Sequence, residues 1–199
     1  MTYNPQIHHR RSIRLKDYDY SQEGAYFVTI CTHERHEFFG KIIDGTMRLE
    51  ERGKIAQNVW YTLPASFPGI DLDHCIVMPN HIHGIIVRTE STEAKPSSSM
   101  ETSPTEKNAL QQYRSAPNRS QSLKEIMRAY KSRVSHDIHT SNTPDFGWHR
   151  EYYDHIIRNT RELEFIRAYI VNNPQKWHQD KLHPKNKTFP MPNPNHLQK

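Results

Sequence analysis

The 199-residue sequence lacks several features that would settle its class at once. No apolar run approaches the roughly 20 residues needed to span a bilayer. The basic opening, Met1 to Lys16, is not followed by an apolar signal region. The expectation is a cytoplasmic protein with no membrane partner. There are two cysteines, Cys31 and Cys75, too few for a disulfide or cysteine–metal framework; both sit in apolar, strand-like runs and read as buried thiols. Hydrophobic residues make up 34%, enough for one core but leaving a large solvated fraction. No internal repeat is visible, which excludes a repeat architecture.

Lysine and arginine outnumber aspartate and glutamate by 27 to 22, a net charge of +5. That balance favours a polyanionic partner, nucleic acid first, but is too modest to decide the matter alone. The basic residues are unevenly spread. Arg10, Arg11 and Arg14 lie in an N-terminal arm (1–20). Lys124, Arg128 and Lys131 fall at i, i+4 and i+7, one stripe of a helix, either a phosphate-contacting face or an ordinary solvated one. Arg150 lies in an aromatic and basic run, Phe146 to His155, which suits base stacking beside phosphate contacts or, equally, core packing of Phe146 and Trp148.

The folded domain is expected over 21–177, with a polar, aperiodic insertion at about 88–121 and a poorly ordered basic tail at 178–199. Ala25–Thr32 and Ile70–Met78 read as strands, and Asp44-Gly45 as a hairpin turn. Ile55, Val59 and Leu63 mark a helix stopped by Pro64. A second helix begins after Ser122. Asn159 and Glu162 resemble the cap of a third, with Leu163, Ile166 and Ile170 as its buried stripe and Pro174 beyond its end. Strand, helix, strand, strand and then helices, with short links between the later strands, give an α+β class: a ferredoxin-like antiparallel sheet with helices packed on one face.

The most informative segment is Met78-Pro79-Asn80-His81-Ile82-His83-Gly84, running into Ile85-Ile86-Val87. In a strand, i and i+2 share a face, so His81 and His83 project together while Ile82 enters a core. Two imidazoles so placed suit one metal ion, or are simply two half-exposed strand histidines. Further along, Tyr169 and Asn173 share a face of the last helix, near the edge of its buried stripe. Packed beside the histidine strand, Asn173 would complete a metal site and Tyr169 would reach whatever the metal holds; the alternative is a tyrosine at a core edge with its hydroxyl in water. A phenol attacks phosphate esters reversibly, because it is also a competent leaving group, and a divalent cation would aid in-line attack. Nitrogen ligands favour Mn²⁺ over Mg²⁺, though either is served.

The run Met78–Gly84 resembles the His-hydrophobic-His motif of single-tyrosine transposases. Trp148–Asn159 and the context Tyr169-Ile170-Val171-Asn172-Asn173-Pro174 resemble the C-terminal signature of the REP-associated branch, and Tyr26–Ile30 fits an early strand of the same proteins. The matching pieces span roughly residues 10–87 and 122–177. The resemblance implies a ferredoxin-like core with the histidines on a central strand. It also implies metal-dependent nicking and joining of single-stranded DNA, often beside a hairpin. His81 and His83 would be metal ligands, Asn173 a third, and Tyr169 the nucleophile of a 5′-phosphotyrosine intermediate with a free 3′-hydroxyl. A domesticated module that binds hairpin DNA or RNA without cutting is the alternative. A histidine-dependent nucleotidyl hydrolase would use a denser histidine array, and position 85 is isoleucine. The sequence leaves monomer and homodimer both open.

Overall fold

The computed structural model describes residues 19–20, 22–89, 122–141 and 145–186. The basic residues Arg10, Arg11 and Arg14 and nearly all of the 88–121 insertion lie outside the described residues. The elements are β1 (Gly24–Cys31), β2 (Gly40–Ile43), β3 (Thr46–Leu49), α1 (Glu51–Tyr61), α2 (Leu63–Ser66), β4 (Ile70–Met78), β5 (His81–Arg88), α3 (Leu123–Thr140), β6 (Tyr153–Ile157) and α4 (Thr160–Asn172). Two short 3₁₀ turns follow, Pro174–Gln179 and Pro184–Asn186.

Four strands form one antiparallel sheet in the order β4-β5-β1-β6, with β2 and β3 a separate hairpin. Without that hairpin the sequence of elements is βαββαβ with the first strand central, which is the ferredoxin-like arrangement. The hairpin turns on Asp44 and Gly45, both at positive φ (48° and 68°), as a two-residue turn requires. The strand β6 is absent from the sequence-based outline. Its residues Tyr153 and His155 face the same side as Thr29 and Phe27 of β1, and Ile157 alone makes that face of β6 aliphatic, too little for an apolar alternation to read.

Alternation along β5 divides the two sheet faces. Ile82 and Ile86 join the main core with Trp60 of α1 and Ile126, Met127 and Tyr130 of α3. Gly84 shares that face, because a Cβ there would lie 2.3 Å from the Trp60 ring. The α1 stripe is correspondingly Ala56, Val59 and Trp60, with Ile55 only partly buried. Ile85 points the other way and packs with Ile157, Ile166 and Ile170. The helices α1 and α3 thus share one face as expected, while α4 lies on the opposite one, the face of His81 and His83. Each buried isoleucine contributes about 1.5–3 kcal/mol, so this small cluster is what holds α4 down. Arg167 then sets its position along β4 through a forked pair with Asp73, which sits at a bulge between Leu72 and Cys75.

The chain beyond α4 departs from the expected tail. Residues 178–186 are anchored at a few points: Leu182 is buried, Asn80 donates to its carbonyl, and the His183 ring lies tilted at 4.8 Å from Trp177. Residues 187–199 lie outside the described part.

Candidate metal centre and tyrosine site

His81 and His83 are fully buried side by side, their Nε2 atoms 3.0 Å apart. The turn residue Asn80 fixes the first imidazole. Its amide nitrogen donates to the carbonyls of Arg35 (3.1 Å) and Leu182 (2.8 Å). Its oxygen must therefore accept from His81 Nδ1–H, at 2.8 Å. His81 is held as the Nδ1–H tautomer with a bare Nε2. His83 Nδ1 lies 2.9 Å from Thr29 Oγ1. A hydroxyl both donates and accepts, so His83 can take either tautomer. Burial keeps both rings neutral: it pushes His81 down to about 3, aided by the Arg35 charge, and lowers His83 well below its ordinary value, with His81 adding to the effect. Neutral imidazole is the ligand form.

The donor set fits a divalent cation. With metal–nitrogen bonds of about 2.1 Å, a 3.0 Å separation subtends about 90°, the angle between neighbouring ligands of an octahedron. Asp180 brings a carboxylate oxygen into the same group, all three ligand atoms lying within 4.8 Å of one another. Asn173, the third ligand expected from sequence, is buried, and its Oδ1 has no hydrogen-bond partner. An orphaned oxygen of that kind also fits a cation. Asp180 was missed by the sequence reading because it falls in a Lys-, His- and Pro-rich stretch with no periodic signal.

Tyr169 Oη lies 3.3 Å from His83 Nε2. The ring packs at 5.2 Å from His83 and 6.1 Å, edge on, from Phe27. Burial and the Asp180 charge raise its pKa, while a hydrogen bond from Asn173 opposes the shift. The phenol faces an open cleft of ≈ 390 Å³ that His83, Asn173 and Asp180 also line. A single chain therefore assembles His81, His83 and Tyr169.

The other sequence candidates are elsewhere. Lys124 and Arg128 are exposed on α3, across the sheet from the histidines. Lys131 is turned to a local task, donating to the carbonyls of His149 (2.7 Å) and Arg150 (3.0 Å). Arg150 is exposed just before β6. Tyr130 is buried in the main core and donates to Ala56 O at 2.9 Å. Phe146 and Trp148 pack in the core.

This sheet, with a histidine pair on a central strand and a tyrosine helix laid over it, has the fold of a REP-associated tyrosine transposase, solved bound to a REP hairpin. The two superpose with a TM-score of 0.52 over 84% of this chain and 76% of that one, at 16% identity. A putative transposase from Deinococcus radiodurans aligns more loosely, with a TM-score of 0.39 and 15% identity over 80% of this chain and 95% of the other. No protein-family model matches the chain. In sequence, the chain belongs to one family with an uncharacterized protein of Haemophilus influenzae, 39% identical over 181 residues, 91% of this chain and 97% of the relative. Among the described residues no helix is long and apolar enough to cross a membrane.

Proposed function

We propose that this protein is a transposase-type enzyme that nicks and rejoins single-stranded DNA at hairpin-flanked sites, with Tyr169 as nucleophile. One observation carries the reading: the Tyr169 hydroxyl stands 3.3 Å from His83 Nε2, at the edge of a buried ligand pair and open to a cleft. The fold supports it, since the similar solved structure is a transposase bound to a REP hairpin.

Tyr169 Oη attacks the phosphorus of a phosphodiester. The P–O3′ bond breaks, the 3′-oxygen leaves and takes a proton, and the 5′ side of the strand remains esterified to the tyrosine. Attack by another 3′-hydroxyl reverses the exchange, releasing the phenol. His81 and His83 would hold a divalent cation, with Asn173 Oδ1 or the Asp180 carboxylate completing the set. The nitrogen donors favour Mn²⁺ over Mg²⁺. Such an ion supplies charge neutralisation at the phosphate and a lower phenol pKa. Asn173 assists the same ionisation through its hydrogen bond to the phenol. His81→Ala is expected to lose metal and nicking while retaining hairpin binding.

The test is incubation with hairpin-flanked single-stranded oligonucleotides and Mn²⁺. A denaturation-resistant protein–DNA adduct is expected, lost in Tyr169→Phe. Hairpin binding without an adduct on any substrate would leave a binding module instead.

A further inference from the structure

The last helix carries a second aromatic residue that the chemistry above does not use. Phe165 is 58% exposed. It lies one turn before Tyr169 on the same helical face and lines the same ≈ 390 Å³ cleft. Lone exposed phenylalanines are ordinary; this one faces further aromatic surface. Partly exposed Phe27 of β1 and Tyr153 of β6 line the cleft as well. The cause is the placement of α4, whose isoleucines cover Ile85 and Ile157 and leave the β1–β6 side of that face open beside them.

We propose that this cleft is a slot for one unpaired nucleobase of the DNA strand, stacked on Phe165, beside the phosphate that Tyr169 attacks. The proposal rests on the reading of the protein as a single-stranded DNA enzyme. The volume lies in the range of clefts that take small-molecule-sized groups, and aromatic platforms beside cations are how proteins hold single strands. Lys176 and Lys181 line the cleft and are exposed. Asp154 and Asp180 line it too. Asp154 points to the other face of β6 and Asp180 to the histidines, so the aromatic side of the cleft takes the base and the flanking phosphates stay with the lysines.

The experiment measures binding of the full chain, in EDTA so that no strand is cut, to hairpin-flanked oligonucleotides carrying an abasic site at each unpaired position in turn. One position is expected to lose affinity by about 5- to 100-fold, the range for one aromatic–base stack. In Phe165→Ala the intact oligonucleotide loses a similar factor and the abasic site at that position adds less than twofold, while Phe165→Trp restores both. Exposure of Phe165 makes its replacement harmless to folding, which circular dichroism checks. Additive losses, or a Phe165→Ala effect unrelated to position, overturn the slot. The adduct assay separates the two readings. Coupling without an adduct keeps the slot and removes the nuclease, an adduct with additive losses does the reverse, and no binding to any oligonucleotide overturns both.

Discussion

Asn80→Ala tests the proposition that the turn before β5, and not the histidines alone, builds the ligand site. Asn80 is fully buried and its side chain makes three hydrogen bonds: to Arg35 O, to Leu182 O and from His81 Nδ1–H. At a net ~1 kcal/mol each, their loss costs about 3 kcal/mol. The figure rises towards about 5 kcal/mol because two carbonyls and a ring N–H remain buried without partners. Over most of the usual stability range of about 5–15 kcal/mol the variant still folds, with a Tm lower by roughly 6–20 °C. The second effect is specific. His81 loses the partner that fixes its tautomer, and the segment carrying Asp180 loses its tie at Leu182. Removal of such an outer partner typically weakens metal affinity by about 10–100-fold. Calorimetric titration with Mn²⁺ well below the Tm reads this directly. Val134→Ala, in the core on the far face of the sheet, serves as a destabilised control and should bind Mn²⁺ like the parent. An Asn80→Ala protein that is destabilised yet binds Mn²⁺ with unchanged affinity would refute the tautomer argument.

Two further outcomes are expected. Gly84→Ala drives a methyl to 2.3 Å from Trp60 Cζ2 and should cost about 1–3 kcal/mol, read as a lower urea midpoint. The Arg167 guanidinium, above all, holds the Asp73 carboxyl well below the usual carboxylate range. A folded pKa below the unfolded one gives stability that is present above about pH 4 and lost as pH falls through that range. The urea midpoint of the parent should therefore fall more steeply from pH 5 to pH 3 than that of Asp73→Asn.

Much of the fold is legible wherever one physical signal dominates. The strands β1, β4 and β5 are β-branched runs, the Asp44-Gly45 turn has the required positive φ at both positions, and Asn159 caps α4 by accepting from Glu162 N at 2.9 Å. The strand β6 is illegible because one of its inward polar positions is satisfied from outside the strand. His155 meets Glu162 Oε1 at 2.6 Å, on the helix that follows. The same glutamate accepts from Arg158 N at 2.7 Å. A residue pair that reads as a helix start is at once the reason a histidine can lie buried in a strand. Asp180 is hidden for a related reason. It reaches the histidines because Trp177 and Leu182, two isolated apolar residues, anchor the segment around it, and two such residues make no periodic pattern.

The meeting of Tyr169 with His83 follows from register once the faces are assigned. His83 and Ile85 are two residues apart in β5 and share a face. Ile166 and Ile170 pack on Ile85, so the residues beside that stripe, Tyr169 and Asn173, fall next to the preceding position on the strand, which is His83. Spacing alone leaves open whether α4 takes that face of the sheet or the other. Gly84 decides it. As the one residue between His83 and Ile85 it faces the opposite way, and its missing side chain makes room for the Trp60 indole, the largest fully buried side chain. That commits α1, and α3 packed beside it, to the glycine face and leaves the histidine face to α4. The glycine that closes the Met78–Gly84 segment therefore sorts the helices, and sorting the helices brings the tyrosine to the histidines.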